Sequence, residues 1–290
     1  MTAPLSLDTL SGVSETLLIP LFGRVWEYEE AHPLLSDAGA HALGQRLLPL
    51  LEASGSRFHQ AIVHRRWPDS LQVLMALRTR HFDAVTRAFL DRHADAQVVM
   101  LGCGLDGRYE RLGCPPVDWL NIDLPDVIAL RRQLFDVHPG LRELAISALD
   151  PAWLDQIDRT RPTLVLAEGL LMYLTPDQIR GLFCLLADSL RGEFLAEVVA
   201  QWAVSALSQI VLRQALQLKT GAAFAGGLHS AREPESWHPA LKHLGNWGYL
   251  DAQEPRLGLM NLGAWTPFRH LQWVVHYALS GDLGRERGEP

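Results

Sequence analysis

Residues Gln97–Arg111 read QVVMLGCGLDGRYER, and the fold follows from how that stretch is read. Val98 to Leu101 form a short apolar run that predicts a buried strand. The run breaks into Gly102-Cys103-Gly104-Leu105-Asp106-Gly107. A buried strand ending in glycines is the first turn of a nucleotide-binding α/β unit. The glycines permit a tight turn and let a ligand approach backbone without meeting a Cβ. Asp123 ends a second apolar run, Val117 to Ile122. An acid at that distance from the glycines is placed to bind the hydroxyls of a ribose. The pair predicts an adenosine-bearing ligand.

Outward from that turn the pattern alternates. Leu141 to Ser147, Thr163 to Glu168 and Phe194 to Val199 read as further strands, and helices are expected after Pro125 and after Thr175. Thr175-Pro176-Asp177-Gln178 is a helix start, with a Thr cap, a proline in the first turn and a Gln completing a capping box. Strands alternating with helices predict a parallel sheet covered on both faces. Before the turn, Gln72 to His93 is the clearest amphipathic helix; Glu15 to Glu30 reads as a helix interrupted by Pro20. His41 to Ala53 and Phe58 to Trp67 complete a helical segment. The expected organisation is a helical cap or lid over 1–95 and a nucleotide-binding domain over 96–290. An insertion at about 201–245 is expected to shape the acceptor side. There, Ala203 to Lys219 reads as helical, Thr220 to Arg232 as a loop, Glu233 to Gly245 as a helix, Trp247 to Ala252 as a sixth strand and Gln272 to Leu279 as the last.

Composition narrows the function classes. Among 290 residues, the charge of -7 and the lack of a basic block argue against nucleic acid. Three cysteines without a CxxC or Cys/His cluster predict neither a disulfide framework nor a metal site. No run reaches the length of a membrane span and no signal peptide is recognised, so a cytoplasmic protein is expected.

Three stretches, LGCGLDGRYERL, NIDLPDVIALRR and LAEGLLMYLTPDQ, resemble the leucine carboxyl methyltransferase family, in particular its bacterial, polyketide-type O-methyltransferase branch. The resemblance runs from about Glu15 to Val199. It implies a class I, Rossmann-like fold of seven strands, the last inserted antiparallel, and S-adenosylmethionine as methyl donor. It implies that Gly102 and Gly104 pass the donor's amino-acid end, that Asp123 meets its ribose and that Ser147 and Ala148 meet adenine, with Cys103 and Leu124 beside them among the cofactor-binding residues. Arg78 is then the match for a carboxylate-binding arginine, and Glu168 with Gly169 for a contact to the ammonium. Gly107 departs from the threonine more frequent in that branch.

No catalytic base is evident; Tyr173 and His229 are the weak candidates. The activated donor leaves the protein to place donor and acceptor. A carboxylate, already ionised at neutral pH, needs no base, whereas a phenol benefits from one. The expected acceptor is a carboxylate or hydroxyl of a small natural product or peptide, and a homodimer is possible. Alternatives are a NAD-dependent oxidoreductase, from the GxGxxG spacing of Gly102, Gly104 and Gly107, and a non-catalytic cofactor-binding member. Asp106 and Arg108 are expected to pair with each other. Arg24, Arg65, Arg66 and Arg232 are expected on the solvated surface. The tryptophans of the last third (Trp202, Trp237, Trp247, Trp265, Trp273) suit either an acceptor pocket or ordinary packing.

Overall fold

A computed structural model of the chain describes residues 12–209 and 223–280. The part of the expected Ala203–Lys219 helix beyond Gln209, and the part of the expected Thr220–Arg232 loop before Ala223, fall outside the described residues.

Four helices come first: α1 (Leu18–Tyr28), α2 (Ala38–Ala53), α3 (Arg57–Val63) and α4 (Asp69–Arg92). A 3-10 turn, Gly12–Leu17, precedes them. Pro20 does not interrupt α1, because it occupies the first turn, where a helix has no amide to lose. Then follow β1 (Gln97–Leu101), α5 (Arg108–Arg111), β2 (Asp118–Asp123), α6 (Pro125–Leu134), β3 (Leu141–Ala145), β4 (Pro162–Ala167), α7 (Pro176–Ser189) and β5 (Arg191–Val199). A single helical turn, α8 (Val204–Leu207), follows β5, and β6 (Leu241–Gly248) and β7 (Gln272–Ser280) close the sheet.

The seven strands lie in the order β3-β2-β1-β4-β5-β7-β6. The first five are parallel. β7 lies between β5 and β6 and is antiparallel to both. Strand order reverses between β1 and β4, so the carboxyl ends of those two strands flank the crevice where open α/β sheets bind ligands.

The inner strand β1 is buried along its length, and its side chains divide between two cores. Val99 and Leu101 pack with Val165, Ala167 and the α7 residues Ile179, Leu182, Phe183 and Leu186. Val98 and Met100 pack on the other face with Phe82 and Phe89 of α4 and with Trp119, Leu164 and Leu166. Phe183 meets Phe194 at 5.0 Å and Tyr277 at 5.3 Å between ring centroids. A buried ring of this kind is worth about 3–5 kcal/mol against alanine. Helices α1–α3 share a separate apolar cluster that reaches the glycine loop through Leu105 and α6 through Leu130 and Leu134.

The capping box at α7 is present: Thr175 Oγ1 accepts from Gln178 N at 3.3 Å and Gln178 Oε1 accepts from Thr175 N at 2.9 Å. Two expectations in the last third are corrected. Glu233–Ser236 is only a 3-10 turn, and the stretch expected to complete that helix enters β6. Only Trp247 and Gly248 of the expected sixth strand lie in β6; Tyr249–Ala252 turns as 3-10. As an edge strand, β6 is buried only at Leu241 and Gly248, alternates exposed and half-buried positions between them and carries two glycines, a weak strand signature.

Candidate active site

At the carboxyl end of β1 the backbone enters the left-handed region at Gly102 (φ 65°) and Gly104 (φ 51°), which glycine adopts without a Cβ penalty. A Cβ on Gly104 would stand 2.9 Å from Leu17 Cδ2, so the N-terminal 3-10 turn lies directly over the loop. Gly107 differs. Its φ is −97°, which any residue can adopt, so this glycine is not required by the turn. The end of β2 is tied to the same loop: Gly104 N donates to Asp123 Oδ2 at 2.7 Å and Leu124 N donates to Oδ1 at 2.8 Å. Burial pushes the Asp123 carboxyl above its usual range, against the pull of those two amides.

Beside the loop lies a buried network of ions. Arg78 of α4 donates from Nε to Glu168 Oε1 at 2.8 Å and from Nη1 to Glu197 Oε2 at 2.8 Å. Arg108 reaches Glu168 Oε2 at 2.5 Å, Asp83 at 2.8 Å and Asp106 at 3.2 Å. Arg111 holds Asp37, Asp83 and Asp106, each at 2.8 Å. Arg24 pairs with Asp37 at 3.1 Å, approaches Asp106 at 4.0 Å and donates to Leu105 O at 2.9 Å. Burial alone would raise the carboxyls of Asp83, Asp106 and Glu168; the guanidinium of Arg108 and its neighbours outweigh burial and hold all three below the usual range. Arg24 is therefore not on the solvated surface. Only 2% of its side chain is exposed, because Asp37 and the Leu105 carbonyl give it buried partners. Arg65, Arg66 and Arg232 are exposed, as expected.

A cavity of ≈ 140 Å³ opens against this network. Arg78, Gly102, Cys103, Gly104, Glu168, Gly169 and Tyr173 all line it. Asp123, Leu124, Ser147 and Ala148 do not. They form a shelf beside it on the ends of β2 and β3, where Ile146 N donates to Asp123 O. Leu124 is 44% exposed. His229 is exposed and does not line the cavity, and its amide donates to Glu233. Tyr173 donates to Thr16 Oγ1 at 3.2 Å, and burial pushes its phenol up. None of the five tryptophans lines the cavity; Trp202 and Trp265 are exposed, and Trp237 and Trp273 pack with the sheet core.

Sequence reasoning missed Glu197, Asp83, Asp37, Arg111 and Gln272. Glu197 had a signal, a lone acid inside the apolar run FLAEVVA, since a charge in a buried strand must be paired. The partners on α2, α4 and α5 have no such signal, because nothing local marks them as buried.

The residues fit a nucleoside donor with an amino-acid tail. The glycine cradle admits backbone approach; among the described residues Arg78 Nη2 makes no hydrogen bond, and buried Asp106 Oδ2 makes none beside its ion pair with Arg108 at 3.2 Å. Fold and site together define a class I, S-adenosylmethionine-dependent methyltransferase. Residues 18–187 match the leucine carboxyl methyltransferase family. The chain is 34% identical over 245 residues to the tetracenomycin polyketide synthesis O-methyltransferase of Streptomyces glaucescens, covering 84% of this chain and 85% of that protein. It is 30% identical over 267 residues to an S-adenosyl-L-methionine-dependent methyltransferase of Gibberella zeae, covering 83% and 88%. In fold it is similar to a candidate methyltransferase of Thermobifida fusca, with TM-score 0.54, 16% identity and coverage of 94% and 96%. It is likewise similar to a DUF574-family protein of Streptomyces avermitilis, with TM-score 0.52, 14% identity and coverage of 93% and 98%. The chain belongs to the leucine carboxyl methyltransferase family. That assignment displaces the oxidoreductase alternative.

Proposed function

We propose that this methyltransferase esterifies a carboxylate on a small, largely apolar acceptor. One observation carries the proposal: the cavity joins an apolar wall to two guanidiniums that each keep a nitrogen without a hydrogen bond among the described residues. The wall is Leu71, Met75, Met172, Tyr173 and Phe224. The guanidiniums are Arg78, through Nη2, and Arg24, through Nη1. Two carboxylates need holding, one on the donor and one on the acceptor, and guanidinium suits both. Arg78 takes the donor's, as the family resemblance implies; Arg24 takes the acceptor's.

S-adenosylmethionine supplies an activated methyl on its sulfonium. The glycine loop and Asp123 hold the nucleoside, while Glu168, ionised between Arg78 and Arg108, keeps Arg78 in place. An ionised acceptor oxygen needs no proton removed. A Tyr173 phenol held protonated by burial serves as a hydrogen-bond donor and not as a base. Among the described residues no helix is long and apolar enough to cross a membrane. The compartment this function suits is the cytoplasm, where Cys103, Cys114 and Cys184 stay reduced as free thiols.

The test pairs aromatic and aliphatic carboxylic acids with matched phenols, in the presence of donor. Base-labile methyl esters and stoichiometric S-adenosylhomocysteine are expected from the acids. Turnover of the phenols alone would overturn carboxyl transfer. Calorimetric titration of S-adenosylhomocysteine into wild type and Asp123→Ala checks the donor separately, with at least tenfold weaker binding expected in the variant.

A further inference from the structure

The ion network beside the cavity is closed and unbalanced. Its cations are Arg24, Arg78, Arg108 and Arg111; its anions are Asp37, Asp83, Asp106, Glu168 and Glu197. No side chain among the nine is more than 8% exposed. Among the described residues no other ion pair joins it. Four guanidiniums face five carboxylates, leaving one negative charge with no protein cation.

The neighbours do not cancel it. Arg131 forms its own pair with Glu143 at 2.7 Å. His81 is neutral at pH 7, since burial pushes its imidazole down to about 4. Burial keeps the phenols of Tyr173 and Tyr249 protonated. Asp123, on the shelf, adds further negative charge. In a site this dry a unit charge is screened far less than in water.

Glu197 is the member best placed to supply the excess. It is fully buried on β5 and does not line the cavity. It receives Arg78 Nη1 at 2.8 Å, Gln272 Nε2 at 2.6 Å and the Tyr249 hydroxyl. Arg78 is already neutralised by Glu168, so the second carboxylate is not needed to balance it.

The donor carries a sulfonium, an ammonium and a carboxylate, net one positive charge. After transfer the C–S bond has broken, its electron pair has returned to sulfur, and the thioether product is net neutral. We propose that the unbalanced charge supplied by Glu197 makes the cavity select the cationic donor over its neutral product. Product release is then favoured by the chemical step itself. This rests on the donor assignment and goes beyond it.

The experiment measures dissociation constants by calorimetry for three probes. Sinefungin is cationic, with an amine-bearing carbon in place of the methylated sulfur. S-adenosylhomocysteine is neutral. 5′-Methylthioadenosine lacks the amino-acid end and reports on the nucleoside site alone. Wild type is expected to bind sinefungin about tenfold more tightly than S-adenosylhomocysteine. Glu197→Gln, which keeps the shape and an oxygen acceptor for Arg78, is expected to erase most of that ratio while leaving methylthioadenosine within twofold. Should that variant fail to fold, Asp37→Asn removes one charge at the far end of the network, and asparagine still caps α2; a smaller drop in the ratio is expected. Equal or tighter wild-type binding of the neutral product overturns the proposal. So does a variant that weakens all three probes alike, since that is a structural effect. Wild type that binds none of the probes overturns the donor assignment, and the proposal with it.

Discussion

Arg78 and Glu168 meet at the carboxyl edge of the sheet, Nε to Oε1 at 2.8 Å, although ninety residues separate them in the chain. The contact fastens α4 to the end of β4, and Glu197 fixes the other arm of the same guanidinium. Among the described residues Nη2 makes no hydrogen bond, and Arg78 lines the cavity. Arg78→Lys keeps the charge but cannot hold two carboxylates and still present a third donor. The expected outcome is at least tenfold weaker binding of S-adenosylhomocysteine, with methylthioadenosine unaffected because it has no carboxylate. Equal weakening of both would show that the arginine serves only the fold. Arg78→Ala should also destabilise by about 3–5 kcal/mol, since buried Glu197 loses its one cation among the described residues and Glu168 keeps only Arg108.

Gly104 and Gly107 are predicted to respond differently to alanine. At Gly104 the left-handed backbone costs an L-residue about 1–2 kcal/mol, and the new methyl would strike Leu17. Binding of S-adenosylhomocysteine should fall more than tenfold. At Gly107 the φ of −97° accepts alanine, and the methyl meets two side-chain ends that can yield, the ring edge of Phe135 at 3.2 Å and Glu110 Oε2 at 3.4 Å. Affinity there should stay within twofold. Comparable losses at both positions would mean that all three glycines of the spacing matter, as in a dinucleotide fingerprint.

The parts of this fold legible in the sequence are those whose cause is local. The glycines after β1, the acid ending β2 and the capping box at Thr175 each announce themselves within a few residues, and each stands where it was expected. The last strand was legible as a run of apolar residues, and its antiparallel direction only through the family resemblance. Arg24 was misjudged because its partners are Asp37, thirteen residues on, and a carbonyl eighty-one residues on. Burial of a charge is a property of the assembled fold, and an arginine on an amphipathic helix looks the same whether it faces water or a distant carboxylate. The strand β6 was misplaced for a related reason: LKHLGNWG acquires its strand character by pairing with β7.

The cap of α7 offers a measurement independent of the site. Thr175→Ala removes an acceptor for Gln178 N and breaks the reciprocal box. The loss should be about 1 kcal/mol, read as a shift of roughly 2 °C in Tm for a chain of this size. Binding of S-adenosylhomocysteine should not change. A Tm equal to wild type would mean that the helix start is held by packing alone.

His81 predicts the acid side of the stability profile. It stacks on Trp247 with ring centroids 4.5 Å apart and planes 7° from parallel. Burial, and then the neighbouring His276, lower its imidazole to about 4, against the opposing pull of Glu168. An unfolded histidine titrates near 6.5. Between those values the unfolded chain carries a proton that the folded chain refuses, so its binding favours unfolding. The contribution of neutral His81 is thus intact above pH 6.5 and is lost as pH falls through the window toward 4. By pH 5 the loss should reach about 2 kcal/mol. His81→Phe keeps a ring against Trp247 but cannot titrate. Its denaturant midpoint should fall less than that of wild type between pH 7 and pH 5. Parallel declines in the two proteins would place the acid sensitivity elsewhere, in the Glu193–His276 pair, where imidazole and carboxylate lie 2.7 Å apart.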